Sequence, residues 1–430
     1  MADGNIIAAI KNIIKSDPER RFIVVSAPGK RYSDDVKITD LLYECHKQLL
    51  ANGSCGEAFA PVARRFRDIV AQLGLDFDIG SVLERTRREI EENASEDFTA
   101  SRGEYLSALI MAQTLGARFV DAQDVIFFKE DGSLDGDKSY KAVNEAVKGA
   151  EYAVFPGFYG RGADGSVKTF SRGGSDISGA IVARAVNASL YENWTDVSGF
   201  LACDPRIVEG SERIKSLSYK ELRELSYMGA NVLHSESIFP VRKANIPINI
   251  RNTFRPDDEG TLILPTSRYI LAGNTVTGIA GRKNFTVIFI EKSLMNSEIG
   301  FIRKVLTVVE SEGVPIEHIP SGIDTMSLVM ESSALAGNKL ERIINGIKGA
   351  VEPDVIRVIE DIALIATVGH GMSSSVGTSA RLFNAIAAAD VNIKMIDQGS
   401  SELNIVVGVK NEDYERCIKA IYAEFFKKRV

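Results

Sequence analysis

The sequence is poor in the residues that build metal sites and disulfide frameworks. Its 430 residues include four cysteines, four histidines and one tryptophan, and they contain no Cys-x-x-Cys pair. Cysteines spaced in this way indicate neither a zinc site nor a stapled secreted fold, and the histidines show no metal-ligand spacing. We therefore expect no metal site built from histidine or cysteine, and a location in the reducing cytoplasm.

Excess positive charge and long apolar runs are also missing. The chain has 51 basic and 58 acidic residues, a formal charge of -7, which argues against a nucleic-acid partner. No apolar run approaches the roughly 20 residues that a membrane-spanning helix needs, and the N-terminus has no basic leader, so no membrane partner is expected. With 45% hydrophobic and 25% charged residues, the composition is that of a globular protein with two or three domains.

Helical and strand patterns alternate through the first 250 residues. The main predicted helices are 38–50, 57–73, 102–115 and one after Asp176, and the strands lie near 21–25, 118–120, 152–155, 191–194 and 247–250. Strands separated by helices predict an α/β fold, with an open, mostly parallel sheet and helices on both faces. The polar, turn-rich residues 255–260 predict a boundary followed by a linker.

The tail contains an internal repeat. A shift of about 77 residues superposes Gly300 on Gly377 and keeps the apolar positions in phase. Each copy predicts a strand, a helix (301–311; 379–389), a strand of alternating apolar residues (314–316; 391–393), another strand and a second helix (339–347; 413–425). This order is the ferredoxin-like βαββαβ plan.

One glycine-rich segment matches a nucleotide motif only formally. Residues 160–165 fit Gly-x-Gly-x-x-Gly, but they lead into a strand pattern at 167–170 rather than a helix. We expect a hairpin loop there. Residues 27–30 lack the leading glycine of a P-loop.

Residues 171–176, Ser-Arg-Gly-Gly-Ser-Asp, have a pattern that suits anion binding. They connect a strand to an apolar helix, with Ser175 or Asp176 suited to cap that helix. Two glycines let backbone N–H groups approach an anion at the helix N-terminus, and Arg172 can grip a carboxylate or phosphate bidentately. A capped glycine-rich turn without a ligand would use the same residues.

Two further segments carry candidate site residues. Residues 100–104 are expected to open a helix, where Glu104 either receives a substrate ammonium or complements the helix dipole. Residues 194–196, Trp-Thr-Asp, end a strand. Ligands of open α/β sheets bind beyond such strand ends, although a helix cap or turn would look the same.

Taken together, these segments resemble the aspartate kinases of the amino acid kinase family. The segments that carry the resemblance are 25–30, 38–42, 101–104, 155–158, 172–176, 194–199, 204–206 and 228–234. The two tail repeats look like the paired ACT domains that bind amino-acid inhibitors. The implied domains are an N-terminally incomplete kinase domain at 1–255, a linker with the first regulatory strand at 256–283, and ACT domains at 284–355 and 356–430.

The resemblance implies transfer of the γ-phosphoryl group of MgATP to the β-carboxylate of L-aspartate, the first step toward lysine, threonine and methionine. The implied site residues fall into three groups. Aspartate would be bound by Ser26, Thr39, Glu104, Arg172, Gly173, Gly174 and Ser175, with Arg172 and Asp176 at the reacting centre. ATP would be bound by Thr195, Asp196, Arg206, Asn231 and Val232.

The resemblance also implies regulation and assembly. Effector contacts in the first repeat would be Met295, Gly300, Phe301, Ile302, Ile316, Glu317 and Ser321. Lysine is the leading effector, because Glu317 can pair with a basic group, and threonine is a second. In a purely structural interpretation, Gly300 is a turn residue, and Ile302 and Ile316 belong to the hydrophobic core. A homodimer or homotetramer through the ACT domains is expected.

Two departures from the family pattern bear on activity. Relatives begin with a strand ending in Lys-Phe-Gly-Gly-x-Ser, and this chain starts just after it, so we expect the chain as printed to be inactive or impaired. Asn231 stands where many relatives carry lysine. The alternatives are a catalytically inactive amino-acid-sensing subunit, a truncated product, or a kinase acting on glutamate or an acylated relative.

Overall fold

A computed structural model describes residues 1–171, 173–230, 233, 237–265 and 275–427. The described chain forms two compact units, Met1–Ser198 with Leu233–Pro265, and Gly199–Val232 with Thr266–Val430. In the described part of the chain, no helix is both long and apolar enough to cross a membrane. The domain boundaries drawn from the sequence stay a prediction.

Residues 1–265 alternate helices and strands as expected for an α/β fold. The elements in chain order are α1 Gly4–Lys15, β1 Phe22–Val25, α2 Ile38–Asn52, α3 Gly56–Leu73, α4 Ile79–Asn93, α5 Glu96–Leu115, β2 Arg118–Phe119, α6 Ala122–Val125, α7 Gly136–Ala146, β3 Ala153–Pro156, β4 Tyr159–Arg161, β5 Val167–Thr169, α8 Gly174–Ala185, β6 Tyr191–Thr195, β7 Ser216–Ser218, α9 Tyr219–Tyr227, α10 Phe239–Lys243, β8 Ile248–Asn252 and β9 Thr261–Leu264.

The first unit contains three groups of paired strands. Strands β1, β3 and β2 pair in parallel in the order β1–β3–β2. Strand β8 pairs in parallel with β6 and antiparallel with β9. Strands β4 and β5 form the hairpin predicted around residues 160–165. Strands β1 and β6 are each the edge strand of their group. The candidate site lies between these two strands.

One local expectation for this unit is wrong. The helix predicted to start at residue 102 begins at Glu96, because the Ser95 hydroxyl accepts the Phe98 N–H and caps it there. Residues 100–104 therefore lie inside α5 and do not open it. The polar segment 255–260 forms the turn that joins antiparallel β8 to β9. Helix α4, rich in charged residues, was not predicted at all.

The second unit contains the repeat. Its elements from residue 275 onward are β10 Gly278–Glu291, α11 Phe301–Ser311, β11 Thr325–Glu331, α12 Lys339–Val351, β12 Val355–Val368, α13 Thr378–Ala388, β13 Met395–Asp397, β14 Asn404–Lys410 and α14 Tyr414–Phe426. The strands form one antiparallel sheet in the order β11–β10–β12–β14–β13.

The two long strands of this sheet are shared between the copies. Strand β10 pairs with β12 along its whole length, but β11 pairs with β10 only from Phe285 to Glu291. Strand β14 pairs with β12 only from Ile362 to Val368. Module 1 therefore consists of 285–361 and module 2 of 362–427 plus the first residues of β10. The first strand of module 2 precedes module 1 in the chain.

The repeat shift of 77 residues reproduces the observed elements closely. It carries β10 onto β12 and α11 onto α13 residue for residue. The strands expected at 314–316 and 391–393 lie further along: module 2 has β13, and module 1 has only isolated bridges at His318 and Ser321. The valines and isoleucines at 314–316 and 391–393 pack against the core before the chain enters the sheet. Their alternation with polar residues therefore resembles the pattern of a strand.

Candidate active site

A cavity of about 540 Å³ lies in the first unit between β1 and β6. Its polar lining residues include Ser26, Ser175, Asp176, Asn193, Thr195 and Asp196, together with Asp17, Glu19, Arg20, Arg21, Ser189, Tyr191, Glu192 and Thr253. Helix α1 and the middle of α8 supply an apolar wall. The volume is within the range of small-molecule sites, and the polar groups come from strand ends and a helix start. Five residues predicted from three separate motifs therefore lie in one cavity.

The start of α8 is built around glycines. Gly173, with φ +58, occupies the N-cap position and makes no side-chain cap, so the cap expected from Ser175 or Asp176 is wrong. Instead, Ser175 and Asp176 lie within the first turn, where backbone N–H groups have no intrahelical acceptor. This leaves the positive end of a 12-residue helix directed at the cavity.

Close packing explains the glycines around this turn. A Cβ atom on Gly157 would lie 2.9 Å from the Ser175 Cα, and one on Gly174 would lie 2.8 Å from the Phe158 Cα. Phe158 itself has φ +78, and its N–H donates to the Ser178 hydroxyl at 3.1 Å. The loop after β3 therefore fixes the backbone at the start of α8.

Asp176 is oriented by the neighbouring strand. The Asn193 side-chain amide on β6 donates to Asp176 Oδ1 at 2.8 Å, and the Tyr191 hydroxyl donates to the Asp176 carbonyl at 3.2 Å. Both partners come from alternate positions of β6, which face the same side of the strand. Asp176 is thereby fixed at the cavity wall by residues that sequence patterns did not single out.

Glu104 is a buried carboxylate with unused hydrogen-bonding capacity. Its Oε1 accepts the Ala27 N–H at 3.1 Å, while its Oε2 is buried and has no partner among the described residues. Burial raises the pKa of Glu104 to about 7, although the Ala27 N–H and the charge of Arg102 oppose this rise. Ala27 lines the cavity, so Glu104 lies directly behind its wall. An ammonium group would satisfy the remaining oxygen and restore the charged form.

The loop between β1 and α2 is fixed by a buried ion pair. Arg65 Nη2 on α3 lies 2.7 and 2.8 Å from the two carboxylate oxygens of Asp35, and Arg65 Nη1 donates to the Gly29 carbonyl. The Arg31 guanidinium also binds Asp35 and holds the pKa of that carboxyl well below its usual range. This arrangement holds in place the segment between Ser26 and Thr39, two predicted aspartate contacts.

Not all predicted residues reach the cavity. Thr39 lies in the first turn of α2 beside fully buried Ile38 and is not among the lining residues. Arg206 belongs to the second unit, where it pairs with Asp204 at 2.6 Å and is 88% exposed. Arg172, Asn231 and Val232 lie outside the described residues, so their predicted roles stay predictions.

The predicted effector residues fall into two groups. Met295, Phe301 and Ile316 belong to one apolar cluster of module 1, beside Gly300, which caps α11 with φ +81. Ile302 is 42% exposed and Ser321 is exposed. Glu317 Oε1 lies 3.9 Å from Arg282 Nη1. The structure therefore brings together the apolar residues of this set, and the predicted contact of Glu317 with an effector stays a prediction.

Sequence reasoning missed the residues that hold the site in place. Arg65, Asp35 and Asn193 contact no predicted ligand, so nothing in their local sequence marks them. An arginine on the otherwise apolar face of α3 is the one available signal, because a buried arginine needs a partner.

Comparisons with known proteins show the family to which this fold belongs. The amino acid kinase family profile matches residues 1–252, and an ACT domain profile matches residues 365–425. The chain is 38% identical over 443 residues to aspartokinase 3 of Bacillus subtilis (strain 168), covering 99% of this chain and 96% of that protein.

Solved structures give the same result. The aspartate kinase of Clostridium acetobutylicum, 52% identical, superposes with a TM-score of 0.94 and coverage of 99% and 97%. Escherichia coli aspartokinase III, solved with aspartate and ADP, is 24% identical with a TM-score of 0.75 over 99% of this chain and 97% of that chain, and it supports the fold alone. The chain therefore belongs to the amino acid kinase family, among the aspartate kinases that carry ACT domains.

Proposed function

We propose that the chain transfers the γ-phosphoryl group of ATP to the β-carboxylate of L-aspartate, giving 4-phospho-L-aspartate for amino-acid biosynthesis. The observation that carries the proposal is the unpaired, buried Oε2 of Glu104, which lies behind the wall of the cavity that the first turn of α8 also lines. The carboxylate oxygen is suited to the α-ammonium of an amino acid, and the helix turn to negatively charged groups.

The roles follow from this arrangement. Glu104 binds the α-ammonium, and Ser26, Thr39, Arg172 and the backbone of residues 173–175 orient the carboxylates. Thr195, Asp196, Arg206, Asn231 and Val232 bind the nucleotide. Asp176, fixed by Asn193, organises the reacting centre. The E. coli relative, which shares the fold, was itself solved with aspartate and ADP.

The reaction needs alignment more than proton transfer. A β-carboxylate oxygen attacks the γ-phosphorus, and the bond from that phosphorus to the β,γ-bridging oxygen breaks as ADP leaves. The nucleophile is already an anion, so no general base is required. The chain must hold two negatively charged reactants in line, and Arg172 and the α8 N-terminus reduce their repulsion.

The site residues fit Mg²⁺ bound with the nucleotide. The described residues contain no group of three or more potential metal ligands, whereas Asp196 brings a carboxylate to the cavity. Mg²⁺ is commonly held by one or two carboxylates plus phosphate oxygens and water. When bound, it would neutralise phosphate charge.

A trapping assay tests the reaction. The chain as printed, and a form extended at its N-terminus by a strand ending in Lys-Phe-Gly-Gly-x-Ser, are incubated with MgATP, L-aspartate and hydroxylamine. An acyl phosphate gives a hydroxamate, so we expect aspartate-dependent hydroxamate from the extended form. Hydroxamate from neither form, or equal product with L-glutamate, contradicts the proposal.

We further propose an amino-acid effector in module 1, with lysine first and threonine second. Gly300, Phe301 and Ile302 begin α11, whose N–H groups suit the effector carboxylate, and Met295, Ile316 and Ser321 complete the contacts. An effector inhibits by binding more tightly to an inactive arrangement than to the active one.

We also propose that two copies pair through β12. Residues 355–361 have a paired strand, β10, on one side only among the described residues, and Val355, Val358 and Ile359 are each at least 36% exposed. An antiparallel pair centred between Val358 and Ile359 places Arg357 opposite the partner's Glu360, which favours self-pairing.

Charge at this edge should separate the copies. Ile359→Lys puts two lysines near the two-fold axis, so we expect a shift from dimer to monomer in sedimentation velocity. Val376→Lys, at a fully exposed site of module 2, is the matched control and should remain dimeric. A dimeric Ile359→Lys variant would refute pairing through β12.

A further inference from the structure

Two buried oxygen atoms without a partner lie one turn apart on α5. Besides Glu104 Oε2, the Ser107 hydroxyl is buried and has no hydrogen-bond partner among the described residues. Ser107 is 1% exposed and Glu104 is 5% exposed, so neither oxygen is satisfied by bulk water. A buried hydroxyl without a partner costs free energy, and it calls for an explanation just as the carboxylate oxygen does.

The other serine and threonine hydroxyls of α5 are satisfied by the helix itself. Those of Thr99, Ser101 and Thr114 donate to carbonyl oxygens of the preceding turn at 2.8, 2.6 and 2.7 Å. A bond of this kind is the usual arrangement for these residue types inside a helix. Ser107 differs from all three, so its hydroxyl remains available to a ligand.

Ser107 lies on the part of α5 that packs against the end of β1. Gly103, four residues earlier, shares its face of the helix, and a Cβ atom on Gly103 would lie 2.8 Å from the Ala27 Cβ. The Ala27 N–H is also the group that Glu104 Oε1 accepts, at 3.1 Å. Side chains of a helix lean toward its N-terminus, which directs the Ser107 hydroxyl toward the turn that carries Glu104. Both unpaired oxygens therefore lie on the Ala27 side of α5, behind the cavity wall that Ala27 lines.

The chemistry of an ammonium group matches this pair of oxygens. An ammonium has three N–H donors, and one carboxylate oxygen leaves at least one of them without an acceptor in a buried site. A serine hydroxyl brings two acceptor lone pairs. Glu104 Oε2 and the Ser107 hydroxyl are not hydrogen-bonded to each other, so a group that donates to both would satisfy them together.

We propose that Ser107 is a specificity-determining residue of the aspartate site, whose hydroxyl accepts a hydrogen bond from the α-ammonium that Glu104 binds. The inference rests on the proposed function and deepens it. It makes recognition of the amino group the work of two residues of α5, and it predicts that Ser107 distinguishes L-aspartate from a dicarboxylate that lacks the ammonium.

A comparison of L-aspartate with succinate tests this role. Calorimetry on the N-terminally extended protein gives the Kd of each ligand, and Ser107→Ala removes only the hydroxyl oxygen. We expect Ser107→Ala to weaken aspartate binding about tenfold, as for one hydrogen bond to a charged group, and to change succinate binding less than twofold. Thr114→Val removes a hydroxyl of the same helix that already has a partner, and this control should keep the full preference for aspartate.

Two further measurements distinguish binding from a structural role. In the Glu104→Gln background, Ser107→Ala should change the preference for aspartate less than threefold, because both residues act on the same ammonium. The urea midpoint of the ligand-free protein should not fall in Ser107→Ala, because the substitution removes an unpaired buried group and introduces a better helix former.

Each contrary result has its own meaning. A Ser107→Ala variant that keeps the full preference for aspartate overturns the role of Ser107, and so does an equal loss of preference with and without Glu104. A lowered urea midpoint with equal losses for aspartate and succinate would show that Ser107 is structural and would also overturn it. An unsubstituted extended protein that binds both ligands equally would instead refute the ammonium site of the proposed function, and the role of Ser107 with it.

Discussion

Two buried glutamates, one in each unit, show the difference between a binding site and a structural contact. Glu221 on α9 is fully buried, and its oxygens accept hydrogen bonds from the Ser218 N–H, the Thr277 hydroxyl and the His370 N–H. Glu104 on α5 is 5% exposed and leaves one buried oxygen without a partner among the described residues. A buried carboxylate costs free energy unless it is satisfied, so the unsatisfied one indicates a missing ligand.

The largest expected effect is on catalysis by Glu104→Gln. The amide keeps the Ala27 contact but loses the ionic partner of the substrate ammonium, a charged hydrogen bond in a buried site. We expect kcat/KM for L-aspartate to fall about 100- to 1000-fold, or roughly 3–4 kcal/mol. Steady-state kinetics of the extended form give the value, and Glu96→Gln, at the exposed start of the same helix, is the control. A loss below tenfold would mean that Glu104 binds no ammonium.

Glu221→Ala should instead lower the stability of the protein. Removing the carboxylate leaves buried donors of Ser218, Thr277 and His370 without this acceptor, and we expect the free energy of unfolding to fall by about 3 kcal/mol. Urea unfolding, followed by a signal that reports on the second unit, measures this free energy. Arg223→Ala, on the exposed face of α9, should change stability by less than about 0.5 kcal/mol. Equal stability of the two variants would remove the contrast with Glu104.

The same contrast predicts a pH dependence of stability. The pKa of Glu104 is raised to about 7 in the folded chain, above its unfolded value, so the folded state binds the extra proton between these values. Stability should therefore fall as pH rises from about 5 to 7, by roughly 2–3 kcal/mol from this group. Glu104→Gln should flatten that part of the curve of unfolding free energy against pH. An unchanged curve would show that Glu104 is already charged in the empty site.

The sequence predicted what periodicity and glycine spacing encode. The parallel α/β region, the hairpin at 160–165 and the 77-residue shift between the repeats all follow from such local patterns. Five predicted site residues also lie in one cavity, because each follows a strand or begins a helix.

Long-range packing accounts for what the sequence could not predict. Ser95 starts α5 six residues early through a cap, and β10 serves two modules because its pairing partners lie up to 90 residues away. The roles of Asn193 and Arg65 depend on contacts between distant segments, which no local pattern records.

Discrimination between L-aspartate and succinate tests the central claim most directly, because the two differ in the ammonium group that Glu104 is proposed to bind. Calorimetry with both ligands is performed on the extended protein and on its Glu104→Gln variant. We predict that the unsubstituted protein prefers aspartate by about 100-fold, as expected for a buried charged hydrogen bond, and that the variant prefers it by less than fivefold. An equal preference in both proteins would contradict the account.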